Sequence, residues 1–202
     1  MKKVYISGGS RFGEPKLVAA YGWTVVDKID DAHVVMFTGG ADINPAIYNQ
    51  PPHHKTSFDV HRDAREILDY QKALALGLGI FGICRGAQFL CAMAGGSLIQ
   101  DCTQHCNSHD VKLEDGEAFS VTSCHHQMMV PPEDAVVLAT SPMKCSRGVF
   151  VGKDATDTPE IVAFPKIKAI GVQGHPEFDQ HREEYQRFRD YSMALMEGLI
   201  VA

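Results

Sequence analysis

Residues 78–96 read LGIFGICRGAQFLCAMAGG, and the fold turns on how this stretch is read. Leu78 to Ile83 is short and apolar, the pattern of a buried strand. Arg85 to Ala94 is rich in helix formers, and Gly95-Gly96 closes it as a C-terminal cap. Between the two stands Cys84, with Gly82 and Gly86 two places to either side. A strand that passes within one residue into a helix crowds its own backbone, so small residues are needed at those two places. The turn lifts the sulfur to the carboxyl end of the strand, where open α/β sheets bind ligands. It also places the sulfur at a helix N-terminus, which favours thiolate over thiol. The bland alternative is a buried cysteine that merely precedes a helix, and seven residues alone do not exclude it.

Strand and helix patterns alternate outward from this point. Val4 to Ile6 and Val34 to Phe37 read as buried strands, the second ending at Thr38-Gly39-Gly40. Apolar residues recur at helical spacing from Arg62 to Leu76. Further strands are expected at Phe119 to Thr122 and Ala169 to Gln173, with a hairpin-like pair near Gly148 to Val151 and Ile161 to Phe164. A final helix, Arg182 to Met196, carries Tyr185, Phe188, Tyr191 and Leu195 at spacings of three and four. This alternation predicts a three-layer α/β domain with a mainly parallel sheet. No repeat or linker divides residues 1–202, so a single domain is expected. Asn49 to Thr56 and Gln104 to Gly116 are expected to be surface loops.

The chain has 202 residues, is 45% hydrophobic and has a net charge of −6 without basic runs, which argues for one sizeable core and against nucleic acid. The N-terminus has neither a signal-peptide pattern nor a membrane span, so a cytosolic protein is expected. In that setting the six irregularly spaced cysteines are expected to be reduced thiols.

A thiol nucleophile needs a base, and one of the ten histidines stands out. Gly171-Val172-Gln173-Gly174-His175-Pro176-Glu177 ends an apolar strand with an imidazole and, two residues on, a carboxylate. Pro176 fixes the backbone between them, so one face of His175 is free for the thiol while Glu177 holds its other nitrogen. A surface histidine in a polar turn is the competing account, and it loses weight once Cys84 is considered. Cys102, His105, Cys106, His109, Cys124, His125 and His126 carry the side chains of a zinc site. Their irregular spacing lacks the paired pattern of a structural site, so no metal and no cofactor is expected. Cys91 reads as core.

GICRGAQ and GVQGHPE resemble the nucleophile and His-Glu motifs of the class I glutamine amidotransferase superfamily. GGADINPAIY (39–48), Arg62-Asp63 with Glu66, GGSLIQD (95–101) and SCHHQ (123–127) resemble its γ-glutamyl hydrolase-like branch. The resemblance implies a flavodoxin-like α/β/α core. It implies that Cys84 attacks the side-chain carbonyl of a γ-glutamyl amide, that His175 shuttles the proton and that Glu177 orients His175. The backbone N–H groups of Gly40 and Arg85 would form the oxyanion hole, and Gln88, His125 and Gln127 would contact the glutamyl group. Two functions follow from it: a glutaminase that delivers ammonia to a separate synthetase or ligase, and a free-standing γ-glutamyl hydrolase. The chain has no P-loop, so acceptor chemistry would lie on another polypeptide. Two features depart from the pattern. Gly174 stands where relatives usually carry an aromatic residue, which implies a wider cleft or space filled from elsewhere. The stretch SGGSRFGEP (7–15) matches nothing assignable.

Overall fold

The computed structural model describes residues 1–102, 105–142 and 158–201. In chain order the strands are β1 (Lys2–Ile6), β2 (Trp23–Val26), β3 (Val34–Phe37), β4 (Gly79–Ile83), β5 (Ser97–Ile99) and β6 (His109–Leu113). They continue with β7 (Ala118–Val121), β8 (Met128–Val130), β9 (Val136–Ser141), β10 (Thr158–Phe164) and β11 (Ala169–Val172). The helices are α1 (Glu14–Ala20), α2 (Val60–Ala75), α3 (Arg85–Met93) and α4 (Gln186–Val201).

Among the described residues, nine strands form one sheet in the order β2-β1-β3-β4-β11-β10-β9-β6-β7. From β2 to β11 neighbours are parallel, and from β11 to β7 they are antiparallel. The central strands are thus mainly parallel, with an antiparallel extension on one side. β5 and β8 form a separate antiparallel pair.

Side chains alternate across each strand, and the two faces of the sheet build two cores. On β3, Val34 and Met36 join Leu17 and Val18 of α1 and Phe188 and Met196 of α4. Val35 and Phe37 join Tyr70 of α2 and Ala87, Phe89 and Leu90 of α3 on the other face. β4 lies between these layers and is buried at all five positions, as its continuous apolar run requires. Helices on both faces of a mixed sheet form the expected α/β/α arrangement.

Helix α2 starts at an Asp59 cap, whose carboxylate accepts from the backbone N–H groups of His61 and Arg62. Helix α3 ends as its two glycines indicate, with Gly95 at φ 91° and the Gly96 N–H donating to the Cys91 carbonyl. Two expectations are corrected. Residues 104–116 are not all loop: His109–Leu113 is strand β6, with buried residues alternating with exposed ones. Its HDVKL pattern is polar on one face only, and the charged positions hid the strand. Cys102 is disulfide-bonded, whereas Cys84, Cys91, Cys106 and Cys124 are free. Irregular spacing argued against a disulfide framework, but it cannot reveal a bridge that the tertiary fold brings together. Of the expected hairpin, Ile161 to Phe164 lies in β10, and Gly148 to Val151 lies outside the described residues.

Candidate active site

Cys84 occupies the step between β4 and α3 with φ 50° and ψ −109°, a conformation that a residue with a side chain adopts only under constraint. The constraint is visible on both sides. The Cys84 N–H donates to the Val172 carbonyl at 2.7 Å, and the Gln88 N–H donates to the Cys84 carbonyl. A methyl group at Gly82 would stand 2.6 Å from the Gly86 backbone, and one at Gly86 would stand 2.2 Å from the Phe37 carbonyl oxygen. The two glycines are therefore required by close approach of the backbone.

β11 runs parallel beside β4, so its carboxyl end delivers the following residues to the same edge of the sheet. The His175 N–H donates to the Thr122 carbonyl at 2.8 Å, and the Thr122 hydroxyl donates to the His175 carbonyl. With its backbone held from both sides, His175 places Nδ1 2.7 Å from Glu177 Oε1. Phe178 stacks on the imidazole at 4.1 Å. Burial alone would lower the His175 pKa, but the charge of the Cys84 thiolate and the Glu177 carboxylate together raise it to about 10. Burial raises the Glu177 carboxyl, an effect opposed by the imidazole it holds. A methyl group at Gly39 would lie 2.9 Å from His175 Cε1 and 3.7 Å from Cys84 Cβ, so the Gly39-Gly40 turn lies against both.

This turn is fixed from behind. Arg62 donates through Nη1 to the Gly39 carbonyl at 3.0 Å, through Nη2 to the Thr38 carbonyl at 2.8 Å, and through Nε to Glu66 at 2.7 Å. In a trans peptide the C=O of Gly39 and the N–H of Gly40 point in opposite directions. Holding the oxygen therefore aims the Gly40 N–H away from Arg62. Arg85 pairs with Asp63 and Glu66, and all four side chains are buried. Two guanidinium groups and two carboxylates form a neutral unit that ties α2 to the start of α3. The Arg62–Glu66 spacing of one helical turn is its sequence signal.

Of the residues expected to touch substrate, Gln88 donates from Nε2 to the Gln127 carbonyl at 3.2 Å. Gln127 is buried, and its Nε2 donates to the Thr56 hydroxyl at 3.2 Å. His125 departs from expectation. Its side chain is 1% exposed and turns toward Glu160 of β10, so it offers almost no surface to a substrate.

Gly174 has a clear account. A Cβ there would stand 2.8 Å from Phe188 Cζ and 2.9 Å from the Thr122 carbonyl. The ring of Phe188, fully buried on α4, occupies the space, so the cleft is not widened. The unassigned stretch 7–15 also gains a place. Glu14 is buried and accepts from the Ser10 hydroxyl and from the N–H groups of Arg11 and Phe12, closing a tight loop. Phe12 meets His175 edge-on at 6.3 Å and Phe178 at 5.6 Å, and it is 45% exposed. Arg11 Cδ would lie 3.8 Å from a methyl at Gly40. These contacts leave no periodic signal along the chain, because a loop held by one carboxylate has none.

A constrained cysteine beside a histidine–carboxylate pair, at the carboxyl edge of parallel strands, is the arrangement of a cysteine-nucleophile α/β enzyme. The chain matches the Peptidase C26 family over residues 19–177 and belongs to it, within the class I glutamine amidotransferase-like proteins. It is 30% identical over 188 residues to Protein NtpR of Enterococcus hirae, covering 81% of this chain and 71% of NtpR. It is 34% identical over 186 residues to YvdE of Lactococcus lactis, named as glutamine amidotransferase-like, with the same 81% and 71% coverage. The fold superposes on a chain of PurLQS from Thermotoga maritima with a TM-score of 0.64 at 18% identity, covering 99% of this chain and 97% of that one. Among the described residues, no helix is long and apolar enough to cross a membrane.

Proposed function

We propose that the chain hydrolyses a γ-glutamyl amide through a thioester on Cys84, as a glutaminase-type amidohydrolase. The observation that carries this reading is the 2.7 Å contact between His175 Nδ1 and Glu177 Oε1 beside the constrained Cys84. The thiolate attacks the amide carbon, and the oxygen gathers negative charge, which in this reading the N–H groups of Gly40 and Arg85 receive. Losing one such donor typically lowers the rate by roughly 10²–10³. The C–N bond breaks as His175 gives its proton to the leaving amine. Water then loses a proton to His175, attacks the thioester and frees the thiolate and glutamate.

Glutamine as substrate, with ammonia passed to a separate synthetase or ligase, is supported by membership among the glutamine amidotransferase-like proteins. A free-standing hydrolase of γ-glutamyl amines or peptides is the second reading, favoured by the Peptidase C26 match. The experiment is to measure ammonia or amine released from glutamine and from bulky γ-glutamyl amides, with Cys84→Ala alongside. Turnover of bulky amides that depends on Cys84 supports the hydrolase; slow turnover confined to glutamine supports the partnered glutaminase. Turnover that persists in Cys84→Ala refutes both.

A further inference from the structure

Behind the active site, His105, His109, His125 and Glu160 bring one potential ligand atom each to within 4.8 Å of one another, and all four are buried. They come from separate parts of the chain: His105 from the segment before β6, His109 from β6 itself, His125 from the link between β7 and β8, and Glu160 from β10. His105 Nδ1 and His109 Nε2 lie 3.2 and 3.3 Å from Glu160 Oε1, and His125 Nε2 lies 3.6 Å from Oε2. None of these contacts has hydrogen-bond geometry. The facing nitrogens and both carboxylate oxygens are left as buried polar atoms without a partner. Unpartnered buried polar groups are costly and rare, so four side chains sharing the defect call for an occupant.

The outer contacts show which atoms are available. His109 Nδ1 lies 3.0 Å from the Asn107 carbonyl, and His125 Nδ1 lies 3.0 Å from the Gln127 carbonyl. A carbonyl only accepts, so each Nδ1 carries the proton and each Nε2 turns a lone pair toward the cluster. Gln173 Nε2 donates to the same Gln127 carbonyl at 3.1 Å, which accounts for its closeness to His125 Nδ1. Lone pairs facing a carboxylate repel one another unless a cation lies between them. Metal-binding histidines are commonly held in this way, with the second nitrogen bonded to a backbone carbonyl.

We propose that these four residues form a closed structural site for one divalent transition-metal ion, Zn²⁺ by preference. Three imidazoles and one carboxylate suit zinc, whereas calcium and magnesium select oxygen ligands. Ligand bonds of about 2.0–2.1 Å in a tetrahedron set neighbouring ligand atoms about 3.3 Å apart. The separations of 3.2 and 3.3 Å from Glu160 Oε1 to His105 and His109 fit that edge, and His125 Nε2 faces the second carboxylate oxygen, Oε2, at 3.6 Å, within the 4.8 Å that spans the four ligand atoms. All four positions are filled by protein, so the ion has no open site for substrate. Its role is to clamp the segment of Cys124 and His125 onto β10, next to the strand that leads to His175. His109 also lines a surface depression with Ser108, Asp110 and Tyr185, so the cluster lies next to the surface on that side. Cys102, Cys106, Cys124 and His126, weighed with these histidines in the sequence, are not members of the cluster.

The test is metal content. The untagged chain is produced in zinc-supplemented medium, purified without metal-affinity resin or chelator, desalted and measured by elemental mass spectrometry. About one zinc per chain is expected, both in the parent protein and in Cys84→Ala, and none in His109→Gln. Replacement of zinc by Co²⁺ in the parent protein guards against a variant that fails to fold. It should give the visible bands of tetrahedral cobalt without a near-ultraviolet thiolate-to-metal band. Three results overturn the proposal: no metal above trace after dialysis against zinc, zinc that is lost in Cys84→Ala, or a cobalt spectrum with thiolate ligation. The first would leave the cluster held by protons alone; the others would place the ion on Cys84 or another cysteine. Neither the assay nor its failure depends on glutamine hydrolysis.

Discussion

Arg62 offers the sharpest test of the proposed role of the Gly39-Gly40 turn as an oxyanion hole. Its guanidinium serves three partners at once: Glu66, the Gly39 carbonyl and the Thr38 carbonyl. Arg62→Met removes one positive charge from a buried unit of two arginines and two carboxylates, a loss that typically destabilises by about 3–5 kcal/mol. Arg62→Lys keeps the charge but replaces three directed nitrogens by one. At least one charged hydrogen bond is lost, about 1.5–3 kcal/mol. For a chain of this size each kcal/mol moves Tm by about 2–4 °C, so Arg62→Met should fall by roughly 6–20 °C and Arg62→Lys by roughly 3–12 °C. The lysine variant is the informative one. With the Gly39 carbonyl no longer held from behind, the Gly40 N–H loses its aim, and kcat should fall by roughly 10²–10³ while KM changes little. The assay is ammonia release from saturating glutamine, run well below the new Tm. If Arg62→Lys loses stability as expected but keeps the parent kcat, Arg62 is only structural and the peptide-orientation argument is wrong.

Other outcomes follow from the same geometry. Since the His175 pKa is raised to about 10 in the folded chain, its stabilising contribution is complete below about 6.5 and lost as pH rises through about 10. The pH profile of kcat/KM should fall over that upper range as the proton for the leaving amine is lost, and Glu177→Gln should move the fall to lower pH. Gly39→Ala would set a methyl 2.9 Å from His175 Cε1, and should reduce kcat far more than it reduces Tm. Under limiting alkylation, peptide mapping should find Cys84 modified first and Cys91 untouched, since burial pushes the Cys91 thiol up to about 12. Phe12→Ala removes a half-exposed ring beside His175, and should raise KM with little change in urea stability.

The parts legible in the sequence share one property: local pattern and tertiary role coincide. Leu78 to Ala94 shows a strand, a constrained cysteine and a helix because each needs a short-range signature, and the same holds for the strand that leads to His175. α1 and β2 went unread because Glu14–Ala20 and Trp23–Val26 are too short to establish a period. β6 was masked by its outward charges. The neutral unit of Arg62, Asp63, Glu66 and Arg85 was visible as residues of interest, but not as one object, since its pairing crosses from α2 to α3. His105, His109, His125 and Glu160 show the limit most plainly. The spacing of the histidines looked irregular because their fourth member, Glu160, lies 35 residues beyond His125 on another strand.

Phe188 carries a consequence for how such chains diverge. The Phe188 ring of α4 fills the space beside position 174, and a side chain at 174 and that ring exclude one another sterically, since a Cβ there would stand 2.8 Å from Phe188 Cζ. A ring transplanted to position 174 should be tolerated only in a chain whose residue 188 has become small, and the reverse exchange carries the same condition. The two positions form a linked pair in which one volume can be handed between distant parts of the chain. Helix α4 thereby acquires a say in the shape of the segment that carries His175.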